Sequence, residues 1–310
     1  MKLVTFTREG ASRIGSLEGQ KLVDLNHACT AMLESRGELR AAKIAEAFVP
    51  PNMVEFLQGG RRSVEMAAEA VRFALEHEGE LRLPAVLRAA DVKMEAPVIH
   101  PGKIICVGQN YREHILEMGR ELPRFPVVFA KFGNAIIGPW DDIPLHPISE
   151  QMDYEAELAF VIGKRARHVK EEEALEYVAG YMVANDITYR DIQRRTIQWL
   201  QGKTVDGSLP MGPWLVTADE IGDPSGLTIR LEVNGEERQR SNTAQLVFTV
   251  PFLVRFLSEL VTLEPGDVIL TGTPGGVGFA RQPRQFLKDG DLVRVEVDKI
   301  GFIENRVRKV

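Results

Sequence analysis

The chain has only two cysteines in 310 residues, Cys29 and Cys106. They form no Cys-x-x-Cys and no other thiolate metal spacing, and two thiols cannot build a disulfide framework. Two reduced thiols suit a cytoplasmic compartment. No run of 18 apolar residues occurs, which excludes a membrane-spanning helix. The opening Met1-Lys2-Leu3-Val4-Thr5-Phe6-Thr7-Arg8-Glu9 turns charged too early for a secretory signal. Basic excess is missing as well: 38 Lys and Arg against 44 Asp and Glu give a net charge of −6. The short cluster Arg190, Arg194 and Arg195 is interleaved with acids, so neither nucleic acid nor an anionic membrane is expected as a partner. Repeats and low-complexity tracts are absent.

What remains is an ordinary globular composition, 44% apolar and 26% charged, with enough length for a sizeable core. Residues 2 to 25 read as short strands at Leu3–Phe6, Ser12–Gly15 and Lys21–Leu25. Helical patterns follow at about 38 to 48 and 63 to 77. Two prolines and a glycine in Pro97-Val98-Ile99-His100-Pro101-Gly102 mark a boundary. Beyond it strands dominate: Lys103–Val107, Val127–Ala130, Glu157–Ile162, Tyr181–Asp186, Asp267–Thr271, Leu292–Val297 and about 302 to 307. Thr228–Val233 and Glu236–Arg240 flank the hairpin signal Asn234-Gly235. Helices are expected at Glu171–Val178 and Pro251–Leu260. Strands without regular βαβ alternation favour an α+β fold.

Four segments carry candidate chemistry. In Asp153-Tyr154-Glu155-Ala156-Glu157-Leu158, strand alternation places Asp153, Glu155 and Glu157 on one face. Three neighbouring carboxylates need water or a cation beside them. Asn185-Asp186 closes the strand from Tyr181, so Glu155, Glu157 and Asp186 form an all-oxygen donor set suited to Mg²⁺ or Mn²⁺. The plain alternative is a solvated sheet face guarding an edge. In Val107-Gly108-Gln109-Asn110-Tyr111-Arg112-Glu113-His114-Ile115-Leu116-Glu117, His114 and Glu117 share a helix face. They read as a general-base dyad or as an ordinary i,i+3 surface pair. Lys203, among glycines in an irregular stretch ending at Pro210-Met211-Gly212-Pro213-Trp214, reads as an oxyanion stabiliser or a solvated lysine. Gly266 to Gly278 is a buried strand opening into a glycine-rich loop whose amides suit an anion, or simply a tight turn. It lacks the Gly-Lys-Ser/Thr of a phosphate loop.

In this order the four segments resemble the fumarylacetoacetate hydrolase family, in particular its acylpyruvase-like and 2-hydroxyhepta-2,4-diene-1,7-dioate isomerase-like members. The resemblance spans about Lys103 to Arg308. It includes Arg190-Asp191-Ile192-Gln193, Gly202-Lys203 and Asn234-Gly235-Glu236. It implies a mixed β-sheet roll, with residues 1–96 a small α+β accessory domain and 97–310 the catalytic domain. It also implies Mg²⁺, with Mn²⁺ as the alternative, on Glu155, Glu157 and Asp186. The segment carrying His114 and Glu117 is similar to a lid that brings in the base. Lys203 would act in catalysis, and Arg190, Gln193, Gly272 and Thr273 would contact substrate. Asp153 matches no ligand and is expected to support the others. A homodimer acting on a small 2-oxo acid is expected.

The reaction implied is hydrolysis of a C–C bond in a 2,4-dioxo acid of acylpyruvate or fumarylpyruvate type, through a metal-stabilised enolate, with the His114–Glu117 pair activating water. The same enolate would serve an isomerase or decarboxylase of 5-carboxymethyl-2-hydroxymuconate-type products of aromatic catabolism, or an oxaloacetate decarboxylase. A non-catalytic binding protein of the same fold is the rival class, opposed by the presence of His114, Glu117 and Lys203. Thr204-Val205-Asp206, Tyr189 and Lys299 depart from the family pattern, which leaves the substrate open.

Overall fold

The structure is a computed structural model that describes residues 1–310 except Leu83, Met118 and Arg120, and except the side chains of His114 and Glu117. Two mixed sheets form its frame. The larger has 12 strands. From one edge its path runs through Val86–Arg88, Lys21–Asp24, Ala11–Glu18, Lys2–Arg8, Leu209–Thr217, Val178–Asn185, Ala156–Ile162, Val268–Leu270, Ile104–Gly108 and Val127–Lys131. The second orders Glu236–Asn242, Thr228–Val233, Leu292–Val297, Gly301–Lys309 and Ile143–Leu145. Most pairs are antiparallel, but Val268–Leu270 runs parallel to Ile104–Gly108. The expected α+β sheet roll is therefore observed.

Ala156–Ile162 explains why the sheet is buried on both sides. Leu158, Phe160 and Ile162 pack with Ile229, Leu231, Val293 and Val295 of the second sheet. Ala159 and Val161 on the opposite face join Met182, Met32, Ala67 and Val71 beneath the N-terminal helices. A strand buried on two faces loses the apolar–polar alternation and reads as a continuous apolar run. Its register with Val178–Asn185 pairs Ala156 with Asn185 and Glu157 with Ala184.

The N-terminal segment continues the large sheet, because Lys2 and Leu3 pair with Val216 and Leu215. Its helices are Leu25–Ser35, Ala41–Phe48, Met53–Gln58 and Gly60–Glu76. The first was not expected from the sequence. Asp24 ends the preceding strand and caps this helix by accepting from the His27 N–H at 3.1 Å, a role that short polar residues commonly fill.

One further expectation is corrected. Leu209–Thr217 is a buried nine-residue strand and not an irregular stretch. Its prolines disguised it: Pro213 falls in a register shift opposite Tyr181–Val183, the kind of irregularity where strand prolines are tolerated, and Pro210 pairs with Ile137 of a two-residue strand. The helix expected at Glu171–Val178 is present, as a 3-10 helix over Glu171–Tyr177.

Asn110, fully buried, locks three segments near the end of Ile104–Gly108. Its amide donates to the carbonyls of Phe248 and Thr271 at 3.0 and 2.7 Å, and its side-chain oxygen accepts from the Phe248 N–H at 2.7 Å. Replacing Asn110 by Ala leaves three buried backbone groups unpaired. Urea denaturation is expected to show a loss of roughly 3 kcal/mol; a loss below about 1 kcal/mol would show that this lock is dispensable.

Candidate active site

The acidic segment does not form one continuous strand. Met152–Asp153 pairs with Thr188–Tyr189, and the chain re-enters sheet structure only at Ala156. The break separates the three acids that simple alternation placed together. Asp153 accepts from the N–H groups of Gly278 and Phe279 at 2.8 and 3.0 Å, and from Arg190 Nε at 2.7 Å. Glu155 and Glu157 turn instead toward Asp186, which the Asp186 N–H to Glu155 carbonyl bond of 2.9 Å holds across the pair. One oxygen from each of Glu155, Glu157 and Asp186 lies within 4.8 Å of the others, and all three residues are buried.

At an effective dielectric of about 20, unit like charges 4.8 Å apart repel by roughly 3 kcal/mol per pair. Three such pairs would rival the whole stability of a domain, so counter-charge is mandatory. Lys203 Nζ lies 2.6 Å from both Glu155 Oε2 and Asp186 Oδ2. Lys131 Nζ reaches Asp186 Oδ1 at 2.9 Å, and Arg190 Nη1 reaches Glu155 Oε1 at 2.7 Å. Burial works to lower the pKa of Lys203, but Asp186 and Glu155 outweigh it and hold the ammonium above the ordinary lysine range. Among the described residues no ion pair of that kind reaches Glu157. Burial, with Asp186 and Glu155 beside it, pushes its carboxyl well above the usual range, against a 2.6 Å hydrogen bond from the Gly272 N–H.

With Asp153 included, four buried carboxylates face three cations among the described residues, leaving one formal negative charge. A divalent cation on Glu155, Glu157 and Asp186 would reverse that sign and leave the centre receptive to an anion. Three carboxylate oxygens without nitrogen or sulfur suit a hard cation. The donor set therefore fits a divalent metal.

This centre closes the deep end of a cleft of 270 Å³. Phe129 and Trp199, in edge contact at 5.4 Å between ring centroids, line its wall, and Lys203 lies over the Phe129 ring. Gln193 and Thr273 line it too, and Gln193 Oε1 accepts from Arg190 Nη1 at 3.3 Å. The Gly272 amide is committed to Glu157, and Gly272 itself has a φ of +100° with the Val107 carbonyl 2.9 Å from where a Cβ would sit. The backbone of His114 and Glu117 lies in the helix Arg112–Glu117, but their side chains fall outside the described residues.

Sequence reasoning passed over Lys131 and Gln239. Lys131 ends the strand Val127–Lys131, and a lysine at a strand end usually guards an edge. Its complete burial was invisible. Gln239 accepts from the Ala156 N–H and donates to Thr273 Oγ1 and the Pro274 carbonyl, each at 2.8–2.9 Å. It thus ties the acidic segment to the glycine-rich loop, and no local pattern marks it.

Two outcomes are expected. Burial and the neighbouring carboxylates disfavour the ionised form of Glu157 that a cation needs, so Mn²⁺ affinity followed by spin resonance should rise with pH and then level off. Glu157→Gln should weaken binding and flatten this dependence. Gly202 brings the Lys203 turn against the chain, since an added Cβ would lie 2.4 Å from the Gln193 nitrogen and 2.6 Å from the Tyr189 carbonyl. Gly202→Ala is expected to cost about 1–3 kcal/mol in denaturation and to lower turnover by displacing Lys203.

Comparison with known proteins places this geometry in context. The pattern of the fumarylacetoacetate (FAA) hydrolase C-terminal region matches residues 103–308. The bovine (Bos taurus) protein oxaloacetate tautomerase FAHD2A, mitochondrial, is 47% identical over 264 residues, covering 84% of this chain and 81% of its own length. The crystal structure of fumarylacetoacetate hydrolase from psychrophilic Exiguobacterium antarcticum aligns at TM-score 0.80 and 35% identity, covering 100% of both chains. Maleylpyruvate hydrolase from Sphingobium sp. SYK-6, in complex with manganese(II) ion and pyruvate, aligns at TM-score 0.76 and 30% identity over 100% of this chain and 99% of that one.

Proposed function

The chain belongs to the fumarylacetoacetate hydrolase family and is an enzyme, and from that premise we propose that it interconverts the keto and enol forms of oxaloacetate or a closely similar small 2-oxo acid. The observation that carries this reading is the closed end of the cleft, where a metal-competent carboxylate triad meets the buried cations Lys203 and Arg190. Its volume of 270 Å³ sits below the ~300–1,000 Å³ usual for ligand pockets, which suits an acid of few carbons. The tautomerase name of the 47%-identical bovine relative supports the same substrate.

Mg²⁺, or Mn²⁺ in its place, bound by Glu155, Glu157 and Asp186 would supply Lewis-acid polarisation of the 2-oxo carbonyl. Lys203 keeps a positive charge beside the place where negative charge develops on that oxygen. Arg190 holds Glu155 in position while its fork and the Gln193 amide border the substrate space. Phe129 and Trp199 keep water from one wall. Tautomerisation needs one proton removed from C3 and one delivered to the 2-oxygen, and His114 and Glu117 are the groups assigned to that transfer. No water is added and no C–C bond breaks.

The hydrolase reading expected from the sequence is retained as second. It is favoured by the structural likeness to a maleylpyruvate hydrolase holding manganese and pyruvate, and it would use the same triad with the His114–Glu117 pair activating water. In either reading residues 1–96 are the accessory part and 97–310 the catalytic part. A homodimer is proposed as well, supported by exposed Phe125, Val128 and Phe132 around the edge strand Val127–Lys131. Among the described residues no helix is long and apolar enough to cross a membrane. The buried free thiols of Cys29 and Cys106 support the cytoplasmic reading, although the bovine relative is named as mitochondrial.

Purified protein with Mg²⁺ or Mn²⁺ should accelerate the decay of enol-oxaloacetate, read by ultraviolet absorbance, well above its cleavage of acylpyruvates or release of CO₂. Glu155→Gln should abolish the metal-dependent rate. Faster acylpyruvate cleavage than tautomerisation would establish the second reading, and full activity of Glu155→Gln would sink the site assignment.

A further inference from the structure

Among the described residues three cations line the cleft: Arg190, Lys203 and Arg194. Two are already neutralised, Arg190 by Asp153 and Glu155 and Lys203 by Glu155 and Asp186. Arg194 makes no ion pair with a carboxylate among the described residues. It sits at the C-terminal end of the turn Arg190–Gln193 and is exposed, whereas the three carboxylates of the triad are buried. Its guanidinium lies over Phe279, 4.7 Å from the ring centroid.

That ring is held in place. The Phe279 N–H donates to Asp153 Oδ2 at 3.0 Å, and Arg284 also lies against the ring, 4.3 Å from its centroid. Stacking fixes a guanidinium while leaving the N–H donors in its plane free, the geometry that takes a carboxylate with two parallel hydrogen bonds. A 2-oxo acid whose reacting end occupies the triad directs its other end toward the cleft mouth, where Arg194 stands.

Resting on the reading of this site as a 2-oxo acid enzyme, we infer that Arg194 is the counter-ion of a second, distal carboxylate. The cleft thereby selects 2-oxo dicarboxylates over 2-oxo monocarboxylates of the same chain length. A carboxylate at the far end gains a charge-assisted pair. A methyl group in the same place gains nothing from the arginine and leaves its donors to water.

The test uses two unreactive probes that differ only at that end, malate and 2-hydroxybutanoate, titrated calorimetrically into the Mn²⁺-loaded protein. Wild type is expected to favour malate about tenfold or more. Arg194→Ala should erase the preference by weakening malate alone, and Arg194→Lys should keep part of it. Arg284→Ala, which removes a cation from the same ring but not from the cleft, should leave it intact. In turnover, Arg194→Ala should raise KM for oxaloacetate with little change in kcat and leave 2-oxobutanoate exchange at C3 unaffected. Equal affinity of wild type for the two probes, binding of neither, or a preference that survives in Arg194→Ala overturns the assignment. A wild type that prefers malate yet does not tautomerise oxaloacetate overturns the proposed reaction and leaves Arg194 as the distal-carboxylate site.

Discussion

The structure depends on a lattice of buried charge in which Asp153, Glu155 and Asp186 are each held by a cation from a different part of the chain. Lys131 comes from an edge strand, Arg190 from the turn after Thr188–Tyr189, and Lys203 from a short helical turn. Every one of these pairs is buried, so removing a partner would strand an uncompensated charge and not merely lose a surface contact. Among the described residues Glu157 makes no such ion pair; it is held by the Gly272 amide and its carboxyl is pushed up by burial and its neighbours. The lattice is thus complete except at the one carboxylate that a divalent ion would satisfy.

Backbone geometry makes this lattice reproducible. Pairing of Ala156–Ile162 with Val178–Asn185 sets Glu157 beside Ala184 and brings Asp186 to the Glu155 carbonyl. The adjacent parallel strands Ile104–Gly108 and Val268–Leu270 end at the same side, which brings Gly108, Gln109 and Thr273 to the cleft and sets the buried Asn110 beside them. Asn110 and Gln239 then tie those loop ends together through their side-chain amides. A site assembled from strand ends on a rigid double sheet holds its ligands more precisely than one built on free loops.

The carboxylate triad was legible because its members announce themselves locally: two acids one residue apart entering an apolar run, and an acid closing another such run. Their sharing of a face with Asp153 was not, since alternation assumes a continuous strand and the chain breaks at Tyr154 and Glu155. The break gives Asp153 the supporting role expected of it, as anchor for Arg190 and for the Gly278–Phe279 turn. Leu209–Thr217 escaped because its prolines argue against a central strand, and only the register shift against its neighbour makes room for Pro213. Lys131 escaped because a lysine at a strand end looks the same whether it meets water or a buried aspartate.

The sequence by itself determined the α+β class, the strand-rich region beyond Gly102, the hairpin at Asn234-Gly235 and a carboxylate cluster that could hold a divalent cation. These follow from short-range facts: residue alternation, turn chemistry and the affinity of clustered carboxylates for cations. Tertiary structure alone decided which cation answers which acid, that Glu157 makes no ion pair among the described residues, and that Arg194 lines the cleft without an ion pair among those residues. The reason is distance. Lys131 and Lys203 reach Asp186 at 2.9 and 2.6 Å from positions far away in the chain, and no local pattern encodes an encounter that only the folded sheets bring about.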